Sequence, residues 1–371
     1  MLFLNSLRTA STVFNTEGKY NTIVMAMTLC YDSLKNKWEV IMNMNKLLQG
    51  NQEQESVHHG TDPKLETKRI LLFLVITFII TYSLEIGVIR PLLTGENQQQ
   101  AMLGQSLIGM VMFIPAIAVL VTRLITKEGL RNSLLQLPRF KSNWGYYLFA
   151  WFGPSILTAV GALIYFALNP GQFDPELSSL AKAYESAGLD MTTSQLQTTL
   201  LVQMATAFFI GPLINVLNCF GEEWGWRGYL LPKMKNKFKI LPMLLINGVI
   251  WGVWHAPLTA LGHNYGTGYP GFPYTGILAM ILFCIVMGVI FSYITIKTNS
   301  CIPAIFAHGG LNSIAAVGIY YSIDGGNPFI GPSPTGIIGG IGFIIVAIVI
   351  TVKLVKEEKR SNPEATLDTK N

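Results

Sequence analysis

The chain has 371 residues, half of them hydrophobic and only 13% charged, with a mean hydropathy of +0.42 and a formal net charge of +5. This composition excludes an ordinary soluble domain and predicts a polytopic membrane protein. The four cysteines, Cys30, Cys219, Cys284 and Cys301, contain no CxxC pair, so neither a disulfide framework nor a zinc knuckle is expected. The basic residues are spread through short loops between apolar segments, as membrane topology alone demands, and no nucleic-acid partner is expected.

Residues 1–63 are polar, rich in Asn, Gln and Lys, and without sustained periodicity. They read as a disordered cytoplasmic extension. Residues 64–360 then carry eight apolar windows long enough to cross a bilayer, which needs about 20 residues at a rise of about 1.5 Å each. The windows run over Ile70–Ile89, Met102–Ile125, Trp144–Leu168, Leu200–Leu231, Ile240–Leu261, Gly276–Ile296, Ile302–Tyr321 and Gly336–Leu354. Residues 361–371 are a polar tail. The expected fold is therefore all-α, a transmembrane bundle of about eight spanning helices. No internal repeat of the kind that marks two-half transporters is visible.

Lys and Arg concentrate on the cytoplasmic side of a membrane protein. If the first window runs from inside to outside, only Arg90 and Lys182 of the basic residues after residue 63 fall outside. The loops with Lys127, Arg131, Arg139 and Lys141 and with Lys233, Lys235, Lys237 and Lys239 fall inside, as does the stretch Lys353–Arg360. Both termini are then predicted to be cytoplasmic. Glu85, within a turn and a half of Arg90, is expected to anchor the outer end of its helix at the interface.

The fourth window ends in Glu222-Glu223-Trp-Gly-Trp-Arg227, two carboxylates and a guanidinium in an apolar run. Such groups are costly in lipid and mark function. His255 interrupts the fifth window, and His308 and Asn312 lie one turn apart in the seventh. Counted from the cytoplasmic ends at helical rise, Glu222, His308 and His255 lie roughly 16, 12 and 24 Å deep, all within hydrocarbon. A carboxylate in an apolar, water-poor setting is a usable general base, and a neutral imidazole beside it can orient one water. Glu222 and His255 are the candidates for that pair. His308 and Asn312, spaced i,i+4, project from one face and can donate hydrogen bonds to one oxyanion. Glu223 and Arg227 have the favourable acid-first order for an intrahelical ion pair, which would fix the rotation that turns Glu222 inward. Arg227 facing a substrate carboxylate is the other reading of that pair. Trp224, Trp226, Trp251 and Trp254 are expected in the core, where they would keep water from the carboxylate.

The stretch Glu222–Arg227 resembles the EExxxR motif of the CPBP intramembrane proteases, which include the CAAX prenyl endopeptidases and the bacteriocin self-immunity (Abi) proteins. His255 matches the FxxxH motif, with Trp251 where the family pattern has Phe, and His308 with Asn312 matches HxxxN. The resemblance implies an intramembrane endopeptidase acting on a membrane-associated or lipid-modified peptide or protein. In it Glu222 and His255 activate water, and His308 and Asn312 stabilise the tetrahedral intermediate, with the site reached from the cytoplasm. The family is commonly classed as metalloprotease. Glu222, His255 and His308 could supply a hydrolytic zinc set, yet no HExxH is present. A metal-free glutamate mechanism, needing no cofactor, is the favoured reading, with zinc the alternative. A non-catalytic or self-immunity protein on the same scaffold is the second functional reading. A transporter with a buried proton relay is the third, disfavoured by the lack of repeats.

Overall fold

The computed structural model describes residues 62–361 except Pro138 and Ala187. These residues form helices and turns without a named β-strand. The helices used below are α1 (Pro63–Thr94), α2 (Gln98–Val111), α3 (Ile114–Ile125), α4 (Phe140–Leu168), α5 (Ser178–Ser186), α6 (Thr193–Phe209), α7 (Val216–Gly225), α8 (Ile240–Trp254), α9 (Tyr274–Thr298), α10 (Ile302–Ile314) and α11 (Ile341–Ser361). The predicted extension over 1–63 and tail over 361–371 lie outside the described residues, apart from Asp62, Pro63 and Ser361. Asp62 caps α1 by accepting from the Lys64 amide, and Ser361 ends α11.

The all-α membrane bundle predicted from composition is what the chain forms. Among the described residues, four helices are long and apolar enough to cross a bilayer: α1, α4, α9 and the stretch Ile302–Tyr320. The pair α2 and α3, bent by 46° with Pro115 in the first turn of α3, makes a fifth if it is one span. The remaining windows are shorter or broken, each for a local reason. The fourth is interrupted between α6 and α7, where Pro212 opens the short turn Gly211–Ile214. The fifth breaks at His255, two residues before Pro257, whose missing N–H leaves the Val253 carbonyl to accept from the Tyr82 hydroxyl instead. The eighth begins only at Ile341, after Pro332, Pro334 and a run of glycines.

Two π turns have a common origin. Glu85–Ile89 precedes Arg90-Pro91, and Trp226–Leu230 precedes Leu231-Pro232. A proline inside a helix has no N–H to donate, and its ring clashes with the carbonyl four residues back. Widening the preceding turn to an i,i+5 bond, Arg90 N–H to Glu85 O in one case and Leu231 N–H to Trp226 O in the other, lets the helix continue.

Helix α8 lies tightly on α9 because of Gly248 and Gly252. A Cβ at either would come within 2.5 Å of the Cα of Ile285 or Ile281. Small residues four apart let two backbones approach where lipid provides no hydrophobic drive for association. This contact sets His255 beside Cys284, mid-way along α9, with 3.8 Å between Nδ1 and Sγ. Gly309, next to His308, does the same for α10, since a Cβ there would lie 2.8 Å from the carbonyl oxygen of Pro212.

At one end of the bundle, Glu128 in the α3–α4 connection gathers cations from separate elements. It lies 2.5 Å from Lys233, 3.5 Å from Arg69 and 3.9 Å from Arg123, and accepts from the Tyr229 hydroxyl at 3.0 Å. Burial pushes its carboxyl up, but the hydrogen bond and charge of Lys233, with Arg123 and Arg69, outweigh that and hold it below the usual carboxylate range. A depressed folded-state value contributes stability above the unfolded value, and that stability is lost as pH falls through the folded one. Glu128→Gln is therefore expected to cost about 2–3 kcal/mol at neutral pH. Thermal unfolding in detergent should show a loss that narrows as the pH drops below the ordinary carboxylate range, and a pH-independent difference would contradict the assignment.

Candidate active site

The site is built on one tryptophan and one glutamate. Helix α7 carries Glu222 and Glu223 side by side, 2% and 0% exposed. Consecutive residues on a helix point about 100° apart, so the two carboxylates serve different neighbours. Glu222 Oε2 accepts from the indole Nε1–H of Trp251 on α8 at 2.7 Å. Glu223 Oε1 accepts from Arg227 Nη1 at 3.1 Å and lies 2.9 Å from His308 Nδ1 on α10.

The predicted Glu223–Arg227 pair is thus present, with both side chains fully buried. Arg227 sits on the π turn that continues α7, and its guanidinium carbon lies 4.2 Å from the ring centroid of Trp251 and 5.4 Å from that of Phe291. The aromatic faces and Glu223 together offset the charge where water is excluded.

Both imidazoles donate through Nδ1. His255 Nδ1 is 2.9 Å from the backbone carbonyl of Trp251, which can only accept, so Nδ1 carries the proton and Nε2 offers its lone pair. His308 Nδ1 faces a carboxylate oxygen that already accepts from Arg227, so it too donates through Nδ1. The two rings flank the same indole, with centroids 5.7 Å (His255) and 5.6 Å (His308) from that of Trp251. His308 also stacks on Phe291 at 5.5 Å. Glu222, His255 and His308 therefore converge on Trp251 from three separate helical elements.

Asn312 lies on α10 one turn beyond His308, and its amide approaches Cys219 Sγ at 3.8 Å. Helices α7 and α10 are thus linked by two rungs, 223 to 308 and 219 to 312, as expected for antiparallel neighbours with i,i+4 spacing on both sides. Exposure rises across the site: Glu222, Glu223 and Arg227 are closed off, His255 is half-buried and Asn312 is exposed.

At two residues the structure differs from the expectation set by the sequence. Trp251, where the family motif has Phe, is more than packing, because its N–H makes a hydrogen bond to Glu222 that phenylalanine could not make. Glu85 is not an interfacial anchor. It is wholly buried, on the first π turn, within electrostatic reach of Glu222. Pro91, which forces that turn, was the available signal. As for the zinc alternative, no group of three or more His, Cys, Asp or Glu among the described residues is disposed to hold a metal ion. Both imidazoles commit Nδ1 to a protein oxygen, as the histidines of a metal site also do, and Nε2 is the ring nitrogen left to face a water or a metal ion.

Comparison with known proteins adds an independent line. Residues 200–314, which hold every motif above, match the family described as Type II CAAX prenyl endopeptidase Rce1-like. A curated relative, CAAX prenyl protease 2 of Methanococcus maripaludis, is 24% identical over 135 residues, covering 36% of this chain and 45% of the relative. The matched stretch thus spans less than half of that relative's length. The motif resemblance to CPBP proteases and the match over 200–314 agree, and the site-bearing segment of this integral membrane protein is related to the Rce1-like CAAX prenyl endopeptidases.

Proposed function

We propose that the protein is an intramembrane endopeptidase that hydrolyses a peptide bond in a membrane-associated substrate. The observation that carries this reading is the convergence of Glu222, His255 and His308 around Trp251 inside an apolar bundle. Glu222 is the general base, with Trp251 holding one carboxylate oxygen. His255, its Nδ1–H committed to the Trp251 carbonyl, presents Nε2 as acceptor for the same water. The water oxygen attacks the scissile carbonyl while its proton passes to Glu222, which returns it to the departing amine. His308 and Asn312 donate to the oxyanion. With Nδ1–H given to Glu223, His308 donates through a second proton on Nε2, and Glu223 stands behind it as the counter-charge. Glu223 and Arg227 touch no reacting atom in this scheme and act by positioning His308 and α7.

The substrate class is taken from the relative, a CAAX prenyl protease. A peptide ending in a prenylated cysteine and three further residues has a lipid that favours the bilayer and a polar terminus that favours its edge. A buried base with an exposed Asn312 at the margin suits such a substrate. The distribution of Lys and Arg supports access from the cytoplasmic side.

In reconstituted membranes, Glu222→Gln is expected to lower kcat on a farnesylated CaaX peptide by about 10²–10⁴-fold while the protein still inserts and folds. His308→Ala and Asn312→Ala should each cost about 10²–10³-fold in kcat. Undiminished turnover by Glu222→Gln would refute the proposal. The same assay with a strong chelator is expected to leave the rate unchanged, and a loss restored by zinc would replace the metal-free scheme. Arg227→Met leaves Glu223 buried without its cation and should destabilise the fold by about 3–5 kcal/mol. Adding Glu223→Gln should recover part of that loss in thermal unfolding.

A further inference from the structure

Helix α1 lies outside the matched segment 200–314 and has no role in the scheme above, yet one of its turns grips the residues that lead into His255. Thr81 is wholly buried, and its Oγ1 accepts from Trp254 Nε1 at 2.8 Å. The next residue, Tyr82, gives its hydroxyl to the Val253 carbonyl at 2.6 Å, the acceptor that Pro257 leaves free. Two consecutive residues of α1 thus hold two consecutive residues of α8, immediately before His255.

The indole held in this way is a wall of the site. The buried ring of Trp254 meets that of His255 edge-on, with centroids 4.7 Å apart, closer than the 5.7 Å of Trp251. It also packs edge-on against Trp226 of the second π turn at 5.8 Å. The hydrogen bond from His255 Nδ1 to the Trp251 carbonyl fixes one atom of the imidazole and leaves the ring free to swing about that bond. Contact with Trp254 removes the swing only while the indole keeps its own orientation. A buried indole N–H is held in place by its acceptor, and here that acceptor is Thr81. Groups that handle a reacting water need placement to within about 0.5 Å, which their supporting hydrogen bonds supply.

We propose that Thr81 is a positioning residue for the water-activating step: through Trp254 it fixes the angle of the His255 ring, and so the direction in which Nε2 points. This rests on the endopeptidase reading, and it brings into the site a helix that none of the motifs contains.

The test uses the full chain in proteoliposomes with a fluorogenic farnesylated CaaX peptide, with rates taken per folded molecule. It compares wild type, Thr81→Val, Thr81→Ser, Trp254→Phe and the double variant Thr81→Val/Trp254→Phe. Valine matches threonine in shape and lacks the acceptor, so Thr81→Val is expected to lower kcat about tenfold or more with KM within about twofold. Thr81→Ser keeps the acceptor and should restore kcat to within about threefold of wild type. Phenylalanine keeps a ring beside His255 but has no N–H, so Thr81→Val should cost no more than about twofold in the Trp254→Phe background. A threonine serving only to pack would lower Tm in Thr81→Val and leave kcat unmoved, and that result would overturn the proposal. Thr81→Ser being as slow as Thr81→Val, a change confined to KM, or an undiminished loss in the Trp254→Phe background would overturn it as well. If Thr81→Val reduces the yield of folded protein, Thr81→Ala is read by the same criteria. A wild type that cleaves no peptide removes the endopeptidase reading and this inference together. A wild type that cleaves, with Thr81→Val equally fast, removes this inference alone.

Discussion

The structure around the site depends on one buried carboxylate. Glu223 accepts from Arg227 on its own helix and from His308 on another, with no exposure to solvent. Breaking such a group's partnership leaves an uncompensated charge in a medium that cannot solvate it, a cost of about 3–5 kcal/mol, whereas the intact pair contributes little net stability. Its value lies in specification. Holding Glu223 between Arg227 and His308 sets the rotation of α7, and because adjacent residues are about 100° apart, that rotation delivers Glu222 to Trp251. The position of Glu222 is thus a consequence of its neighbour's pairing.

The backbone makes this arrangement reachable. Gly248 and Gly252 let α8 close onto α9, and Gly309 lets α10 close onto Pro212, so that the elements carrying the site pack closely. The two π turns perform a second service. Each absorbs a proline that would otherwise break an apolar helix, and each carries a charged residue to the interior, Glu85 in one and Arg227 in the other. The same irregularities that spoil ideal spans therefore equip the site.

Much of this was legible beforehand, and the misses share a cause. The helical class, the Glu223–Arg227 pair and the relation to CAAX endopeptidases rest on composition, i,i+4 spacing and motif order, which are local or additive properties. The eight windows were a weaker reading, since hydropathy counts apolar residues and is blind to Pro212, Pro257 and the glycine run before Ile341, which redirect the backbone. The distance from Glu85 to Arg90 along the chain predicts an interfacial position for Glu85. Whether a helix face meets lipid, water or another helix is not encoded in that distance. Trp251 was read as packing because an indole in an apolar run usually is, and its N–H acquires meaning only once a carboxylate on α7 is seen 2.7 Å away.

The order of residues along the chain by itself determined that this is a helical membrane protein and that two adjacent acids, an arginine, two histidines and an asparagine lie in its apolar segments. These follow from transfer free energies and helical periodicity, which each segment expresses alone. Only the tertiary structure decided that Glu223 joins Arg227 to His308, that Trp251 is the meeting point of Glu222 and both imidazoles, and that Glu85 belongs to the interior. Those outcomes depend on interhelical distances set by glycine contacts and proline-widened turns, and no single segment contains that information.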